Sequence, residues 1–277
     1  MAAEVRDVEE IEVALLLEAI YRRYGYDFRE YAAASLKRRL WRRAHAEGLG
    51  TISALQDRVL HDPWCMERLL RDLSISVTAM FRDPTFYVAF RDQVIPLLRT
   101  YPFTRIWVAG CSTGEEVYSL AILLDEEGLL ERTRIYATDI NETVLEQARQ
   151  GVFALEKMQE YTQNYLRGGG TRAFSEYYLA SYDGARFDRR LVQNTVFGQH
   201  NLVSDNAFNE FQVIVCRNVM IYFDRSLQDR VLGLFDQSLV TLGVLGLGHK
   251  ESLRFSGLAQ RYDELDPIEK LYRKAAA

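Results

Sequence analysis

Cysteine is scarce in this sequence: Cys65, Cys111 and Cys216 are the only three among 277 residues, widely spaced and without a CxxC pair. That excludes a disulfide scaffold and a thiolate zinc site, and a reducing compartment is the expected home. The four histidines, His45, His61, His200 and His249, show no metal-ligand spacing, so no metal is expected. No run approaches about 18 apolar residues, and the start, MAAEVRDVEE, lacks a basic segment followed by an apolar one. The expectation is a cytoplasmic protein without membrane insertion. An overall basic excess is missing too. With 34 Lys and Arg against 39 Asp and Glu, the formal charge is -5, which argues against nucleic acid as a partner, because that affinity comes largely from neutralising phosphates.

What is present is a folded composition, 48% hydrophobic and 26% charged, long enough for a small domain followed by a larger one. Neither internal repeats nor low-complexity stretches occur. Charge is uneven: between Arg22 and Arg43 stand eight basic residues against two acidic ones, a local excess that asks for an explanation.

From Ile11 to about Arg43 apolar residues recur at helical spacing, Ile11, Leu15 and Ala19 before a break near Gly25, and Tyr31, Leu36 and Leu40 after it. Gly48 and Gly50 close the second helix, Thr51 can cap a third, and Asp62-Pro63 opens a fourth toward Leu73. Residues 1–75 thus read as a small helical domain, with no flexible linker after it. Residues 76–277 read differently. Ile106-Trp107-Val108 is a short buried strand running into Gly110-Cys111-Ser112-Thr113-Gly114, with a helix from Glu115 to about Leu124. A second strand, Arg134 to Thr138, ends at Asp139, and Asn141 can cap a helix from Glu142 to Arg149. This order opens a doubly wound α/β domain. Turn residues Asp183-Gly184 and aromatic-rich stretches suggest a small antiparallel insertion at about 168–199. Phe211–Val215, a helix over Leu227–Leu239, a strand at Val244–Leu247 and an edge strand at Lys270–Arg273 complete the expected sheet.

The loop Gly110-Cys111-Ser112-Thr113-Gly114-Glu115-Glu116 places two carboxylates where a dinucleotide fold would hold pyrophosphate. A cationic ligand fits better. S-adenosylmethionine carries an amino group and a sulfonium but no phosphate, and Asp139, at the end of the second strand, can accept both ribose hydroxyls. Glu115 and Glu116 also complement the helix dipole, which is the bland alternative.

The chain closely resembles the CheR family, the chemotaxis receptor protein-glutamate O-methyltransferases. The resemblance rests on four ordered blocks: Ser76-Val77-Thr78-Ala79-Met80-Phe81-Arg82, Cys111 to Ser119, Ala137-Thr138-Asp139-Ile140, and Cys216-Arg217-Asn218-Val219-Met220-Ile221-Tyr222-Phe223. It implies an all-helical N-terminal domain followed by a Rossmann-like class I methyltransferase domain with a small inserted antiparallel β-subdomain. By resemblance, Ser76, Thr78, Arg82, Gly110, Glu115, Glu116, Asp139, Ile140, Asn201, Leu202 and Asn218 line the S-adenosylmethionine site. Of the two glutamates, Glu115 is the expected ligand of the amino group. Arg82 and Tyr222 are expected at the methyl-transfer centre, and the product would be S-adenosylhomocysteine. Three positions depart from the family pattern: Met80 stands for a usual Phe, Ser76 for a frequent Asn, and Lys250 for a small polar residue in the GHSE stretch.

A substrate glutamate, with a pKa near ~4.3, is already ionised at neutral pH, so methyl transfer calls for alignment and no general base. Arg82 can hold the carboxylate and Tyr222 orient it. Chemoreceptors present such glutamates on acidic helical bundles. Lys37, Arg38, Arg39, Arg42 and Arg43, spaced so that several can share one helical face, are the expected docking stripe, with pairing to the protein's own acids as the alternative. Some family members also grip a receptor C-terminal peptide through the β-subdomain, which this sequence leaves open. A monomer is expected, with a regulatory signalling protein as a further partner. Rival readings are a methyltransferase acting on another protein or nucleic acid, a non-catalytic sensor of S-adenosylmethionine, and an oxidoreductase, which the acidic loop disfavours.

Overall fold

The computed structural model describes residues 7–73 and 78–276. These divide into a helical unit, which holds the residues up to Leu73 together with Tyr222–Gln228, and an α/β unit with the remainder.

The helical unit consists of α1 (Val8–Tyr24), α2 (Ala33–Ala46), α3 (Ile52–His61) and α4 (Pro63–Leu73). Gly25, at φ 77°, stops α1 by turning left-handed and donating its N–H to the Tyr21 carbonyl. Thr51 caps α3 by accepting from the Ala54 N–H at 3.0 Å. Leu16, Ile20, Leu40, Ile52, Leu55, Val59 and Leu69 form a sealed core, each side chain contributing about 1.5–3 kcal/mol by burial. On α1 the packed face differs from the expected one. Val13, Leu16, Leu17 and Ile20 are buried, while Ile11 and Leu15 are 46% and 54% exposed. Both stripes have helical spacing, and packing selects the denser one. Tyr222–Gln228 joins this unit by hydrogen bonds from Ala32 N–H to the Tyr222 carbonyl and from Asp224 N–H to the Glu30 carbonyl, each 2.9 Å. Tyr31 and Phe223 meet edge to face, with centroids 5.0 Å apart.

The α/β unit opens with α5 (Pro84–Ala89), a π turn at Phe90–Val94 and α6 (Ile95–Arg99). Then follow β1 (Thr104–Ala109), α7 (Glu115–Glu126), β2 (Thr133–Asp139), α8 (Glu142–Gln150), β3 (Val152–Phe153), α9 (Met158–Arg167), β4 (Tyr178–Ser181), β5 (Gly184–Phe187), β6 (Thr195–Gln199) and β7 (Phe211–Cys216). α10 (Arg225–Ser238), β8 (Leu239–Leu247), β9 (Tyr262–Asp266) and β10 (Leu271–Lys274) end the chain. The main sheet runs β6-β2-β1-β7-β8-β10-β9. Strands β6, β2, β1, β7 and β8 are parallel, and β10 is antiparallel to both its neighbours. Ile106, Trp107 and Val108 in β1 and Val213, Ile214 and Val215 in β7 are wholly buried, the continuous apolar run of strands covered on both faces. The sheet grows one way from β1 to β2 and the other way from β1 to β7. Their carboxyl ends therefore flank a switch point, the usual ligand crevice of such sheets.

The fold is the expected one: a helical N-terminal region, then a Rossmann-like α/β domain with an antiparallel insertion. Three details differ. The small sheet, ordered β3-β5-β4, spans Val152 to Phe187, earlier than 168–199, because Val152-Phe153 pairs with Ala185-Arg186. Thr195–Gln199 instead extends β2 in parallel, from Ile135↔Thr195 to Asp139↔Gln199. The final strand is not at the edge. Asp266 accepts the N–H groups of Ile268 and Glu269 at 2.9 Å, turning the chain so that β10 slots between β8 and β9. Leu271 and Tyr272 are buried accordingly, while Asp263 and Glu264 of β9 are exposed.

Candidate functional site

Four parallel strands deliver the expected cofactor residues to one edge of the sheet. After β1 the chain tightens through Gly110 at φ 76°, Ser112 at φ 51° and Gly114 at φ 97°. The N–H groups of Gly110 and Cys111 both reach the Thr138 carbonyl, at 2.8 and 2.9 Å. Only glycine suits position 110, since a Cβ there would lie 2.5 Å from a Val219 methyl. The loop after β1 therefore lies directly against the loop after β7.

Asp139 ends β2. Its carboxylate accepts from the Ser112 N–H and the Asn141 N–H, each at 3.0 Å. Burial nonetheless pushes its pKa above the ordinary aspartate value, outweighing those bonds. The carbonyl of Asp139 takes the His200 N–H at 3.1 Å, and the Ile140 carbonyl takes Gln199 Nε2 at 2.8 Å. These bonds set the loop of Asn201 and Leu202 beside the end of β2. Asn201 closes its own turn onto the Val203 N–H at 3.0 Å, and Leu202 is nearly buried.

The glutamates at the start of α7 have separate roles. Glu115 is buried; it accepts from Thr113 Oγ1 at 2.5 Å and from the Tyr161 hydroxyl at 3.1 Å, with Lys157 Nζ at 3.8 Å. Glu116 pairs with Arg217 at 2.8 Å. Arg217 is buried and also binds the Asp83 carboxylate at 2.8 Å and the Arg82 carbonyl at 3.1 Å. The segment that begins with Thr78 thus joins the same edge. Its Phe81 N–H donates to Ser119 Oγ on α7 at 2.8 Å, and Asn164 Nδ2 donates to the Met80 carbonyl at 3.2 Å. Phe81 and Asp83 stand at φ 50° and 54°, so Arg82 sits between two left-handed residues, each costing about 1–3 kcal/mol that the surrounding bonds must offset.

Asn218, after β7, is also left-handed, at φ 61°. It is held by Glu251, a buried carboxylate that accepts the N–H groups of Asn218 at 3.0 Å, Val219 at 2.9 Å, Ile221 at 3.3 Å and Gly248 at 2.7 Å. Burial raises the pKa of Glu251, and the amide bonds oppose that rise.

Gly110, Glu115, Glu116, Asp139, Ile140, Asn201, Leu202 and Asn218 therefore share one sheet edge, with Arg82 tied to it through Arg217. Ser76 lies outside the described residues. Tyr222 belongs to the helical unit, where the Arg39 guanidinium lies 4.5 Å from its ring centroid. The basic residues of α2 do not form one exposed face. At 100° per residue, Arg38 and Arg42 share one side and Arg39 and Arg43 another. Arg38 and Arg42 are exposed. Arg39 is buried against the Leu73 carbonyl at 2.6 Å, Arg43 is bound to Asp72 at 2.5 Å, and Lys37 pairs with Glu9 at 3.2 Å. Arg42 also reaches Asp72, at 2.9 Å, from a largely solvated position.

The donor set fits S-adenosylmethionine. Carboxylates surround a loop with close backbone approach, and Ser112 Oγ is buried there with no partner among the described residues. Among the described residues no cluster of His, Cys, Asp and Glu could hold a metal ion, and no helix is long and apolar enough to cross a membrane.

Two family models match. Residues 11–74 fit the CheR methyltransferase all-alpha domain, and residues 76–265 fit the CheR methyltransferase SAM binding domain. The chain belongs to the CheR methyltransferase family. This CheR chain is 52% identical over 266 residues to the Cher3 protein of Pseudomonas putida, named as a candidate methyltransferase, covering 96% of this chain and 97% of that one. It is 33% identical to chemotaxis protein methyltransferase 2 of Pseudomonas aeruginosa, over 85% of this chain and 84% of the relative. A chemotaxis protein methyltransferase of Salmonella typhimurium is 31% identical, over 89% and 85%. The CheR chain is an S-adenosylmethionine-dependent methyltransferase, as expected. The residues missed in the sequence are Arg217, Glu251 and Tyr161. Arg217 and Glu251 stand beside apolar strand ends, Cys216 and Leu247-Gly248, and that placement of a charge was the available signal.

Proposed function

We propose that this protein transfers the methyl group of S-adenosylmethionine to glutamate side-chain carboxylates of chemoreceptors, giving glutamate methyl esters and S-adenosylhomocysteine. The observation that carries the reading is the match over more than four fifths of the chain to relatives named chemotaxis protein methyltransferases. The carboxylate-rich edge, suited to a cationic cofactor, supports it, and burial raises the pKa of the two thiols there, Cys111 and Cys216. Bound there, the cofactor supplies a methyl group on a cationic sulfur. Glu115 holds the amino group and Asp139 the ribose hydroxyls. Asn201 and Leu202 flank the adenine, while Thr78, Gly110, Ile140 and Asn218 shape the remaining wall. Glu116 supports from behind through Arg217.

Arg82 pairs with the receptor carboxylate and leaves one oxygen free to attack, and the Tyr222 hydroxyl orients the nucleophile. No residue has to remove a proton, because the glutamate is ionised at neutral pH. The acidic receptor bundle docks on the exposed pair Arg38 and Arg42, while Lys37, Arg39 and Arg43 serve the helical unit itself. The site of action is the cytoplasm.

The test is transfer of labelled methyl from S-adenosylmethionine to membranes carrying the organism's chemoreceptors, with Tyr222→Phe alongside. The expected result is a base-labile methyl ester on the receptor band, reduced in the variant. Cofactor binding without any receptor labelling would overturn the substrate assignment.

A further inference from the structure

We propose that Arg217 is a positioning residue for methyl transfer, fixing the direction in which Arg82 presents its guanidinium. The inference rests on the reading above that Arg82 meets the substrate carboxylate. Arg82 lies on a turn pinned on both sides. Before it, the Phe81 N–H is held by Ser119 Oγ at 2.8 Å, and the Phe81 ring is fully buried. After it, Arg217 takes the Arg82 carbonyl at 3.1 Å and the Asp83 carboxylate at 2.8 Å with one terminal nitrogen, Nη2. The other, Nη1, reaches Glu116 at 2.8 Å, at the first turn of α7.

A single planar group thus joins the arginine turn, the start of the cofactor helix and the end of β7. Its plane is set by stacking on Phe86, with 4.1 Å from guanidinium carbon to ring centroid. Arg217 Nε is buried without a partner among the described residues. The orientation is therefore dictated by the two carboxylates and the carbonyl, at the expense of the remaining N–H. Phe81 and Asp83 both occupy left-handed backbone, a conformation that persists only where neighbouring bonds enforce it. Lysine cannot replace this group: it offers a point charge in place of a rigid fork and cannot span both acids and the carbonyl.

The test compares Arg217→Lys, Asp83→Asn and Arg82→Lys, each as the full chain. The assays are labelled methyl transfer to a soluble cytoplasmic chemoreceptor fragment, calorimetric binding of S-adenosylmethionine, and urea unfolding. For Arg217→Lys, kcat is expected to fall about 30- to 100-fold, as for a reacting group misplaced by about 1 Å. Cofactor Kd should stay within about threefold, and the unfolding midpoint should drop modestly, as for one buried partner left unmet, with the protein still folded under the assay conditions. Asp83→Asn, which removes one anchor only, should lower kcat less, and the double variant should be no worse than Arg217→Lys alone. A kcat within threefold of wild type would overturn the proposal, as would a loss matched by equal losses in cofactor affinity and stability. If Arg217→Lys does not fold, the kcat of Asp83→Asn decides by the same criterion. If Arg82→Lys transfers normally, the reading of Arg82 itself has failed. If Arg82→Lys is inactive while Arg217→Lys is normal, only the positioning role is lost.

Discussion

Replacing Glu251 by glutamine changes one atom and should be felt across the edge of the sheet. In the protein one carboxylate oxygen accepts the N–H groups of Asn218 and Gly248, and the other those of Val219 and Ile221. Whichever oxygen becomes an NH2 faces two buried donors with a third donor. Each buried N–H left unmet costs about 1–3 kcal/mol, so Glu251→Gln should lose about 2–6 kcal/mol of stability, a large share of the usual 5–15 kcal/mol. Because Asn218 is held left-handed at φ 61° by this carboxylate, cofactor affinity should drop as well. Urea unfolding measures the first effect and titration calorimetry with S-adenosylmethionine the second. Glu264→Gln is the control, since Glu264 only bridges Arg254 at 3.1 Å on the surface, an interaction worth about 0–1 kcal/mol. If Glu251→Gln unfolds within about 0.5 kcal/mol of wild type and binds cofactor normally, the role assigned to this carboxylate is wrong.

Further expectations follow from the same geometry. The pKa of Asp139 is raised by burial, and its ionised form is the better acceptor for ribose hydroxyls. Cofactor affinity should therefore be full at neutral pH and fall off on acidification at a higher pH than an ordinary aspartate, near ~3.9, would give; calorimetry across that range, with Asp139→Asn flattening the profile, checks it. For folding the sign is opposite: a raised pKa means the folded state holds the proton more tightly, so this group's contribution to stability declines as pH rises through that pKa. Gly110→Ala forces a side chain onto φ 76° and a Cβ to 2.5 Å from Val219, and should weaken cofactor binding at least about tenfold; adding Val219→Ala should recover part of that loss, since the backbone strain remains. Arg38→Glu with Arg42→Glu should raise the receptor KM and flatten its salt dependence without altering cofactor Kd.

The strand, glycine loop and helix at 104–126 were legible because a buried parallel strand is an unbroken apolar run and the loop after it needs glycine. The partition of α2 was not. Arg39 and Arg43 read like any exposed arginine until the Leu73 carbonyl and Asp72 come round to meet them, and such long-range partners leave no periodic mark. The same holds for α1, where two stripes both had helical spacing and packing chose the denser one, with Leu16 and Ile20, over Ile11 and Leu15. Asp139 could be placed from its position at a strand end, whereas Arg217 and Glu251 work through contacts with residues more than 30 positions away. The helix α9 went unread because its buried face is carried by Met158, Tyr161 and Tyr165, and tyrosine is a residue type enriched in strands.

The grouping of Tyr222–Gln228 with the helical unit bears on how this chain can be dissected. The covalent path crosses from one unit to the other three times, so a cut after residue 75 does not separate two self-sufficient pieces. The C-terminal piece would keep Tyr222 but lose the Ala32 amide, the Glu30 carbonyl and the Arg39 guanidinium that meet Tyr222 and Asp224. The two fragments should therefore behave as halves of a split enzyme, each silent alone and active on reassociation, with the short 222–228 segment as the seam through which they complement.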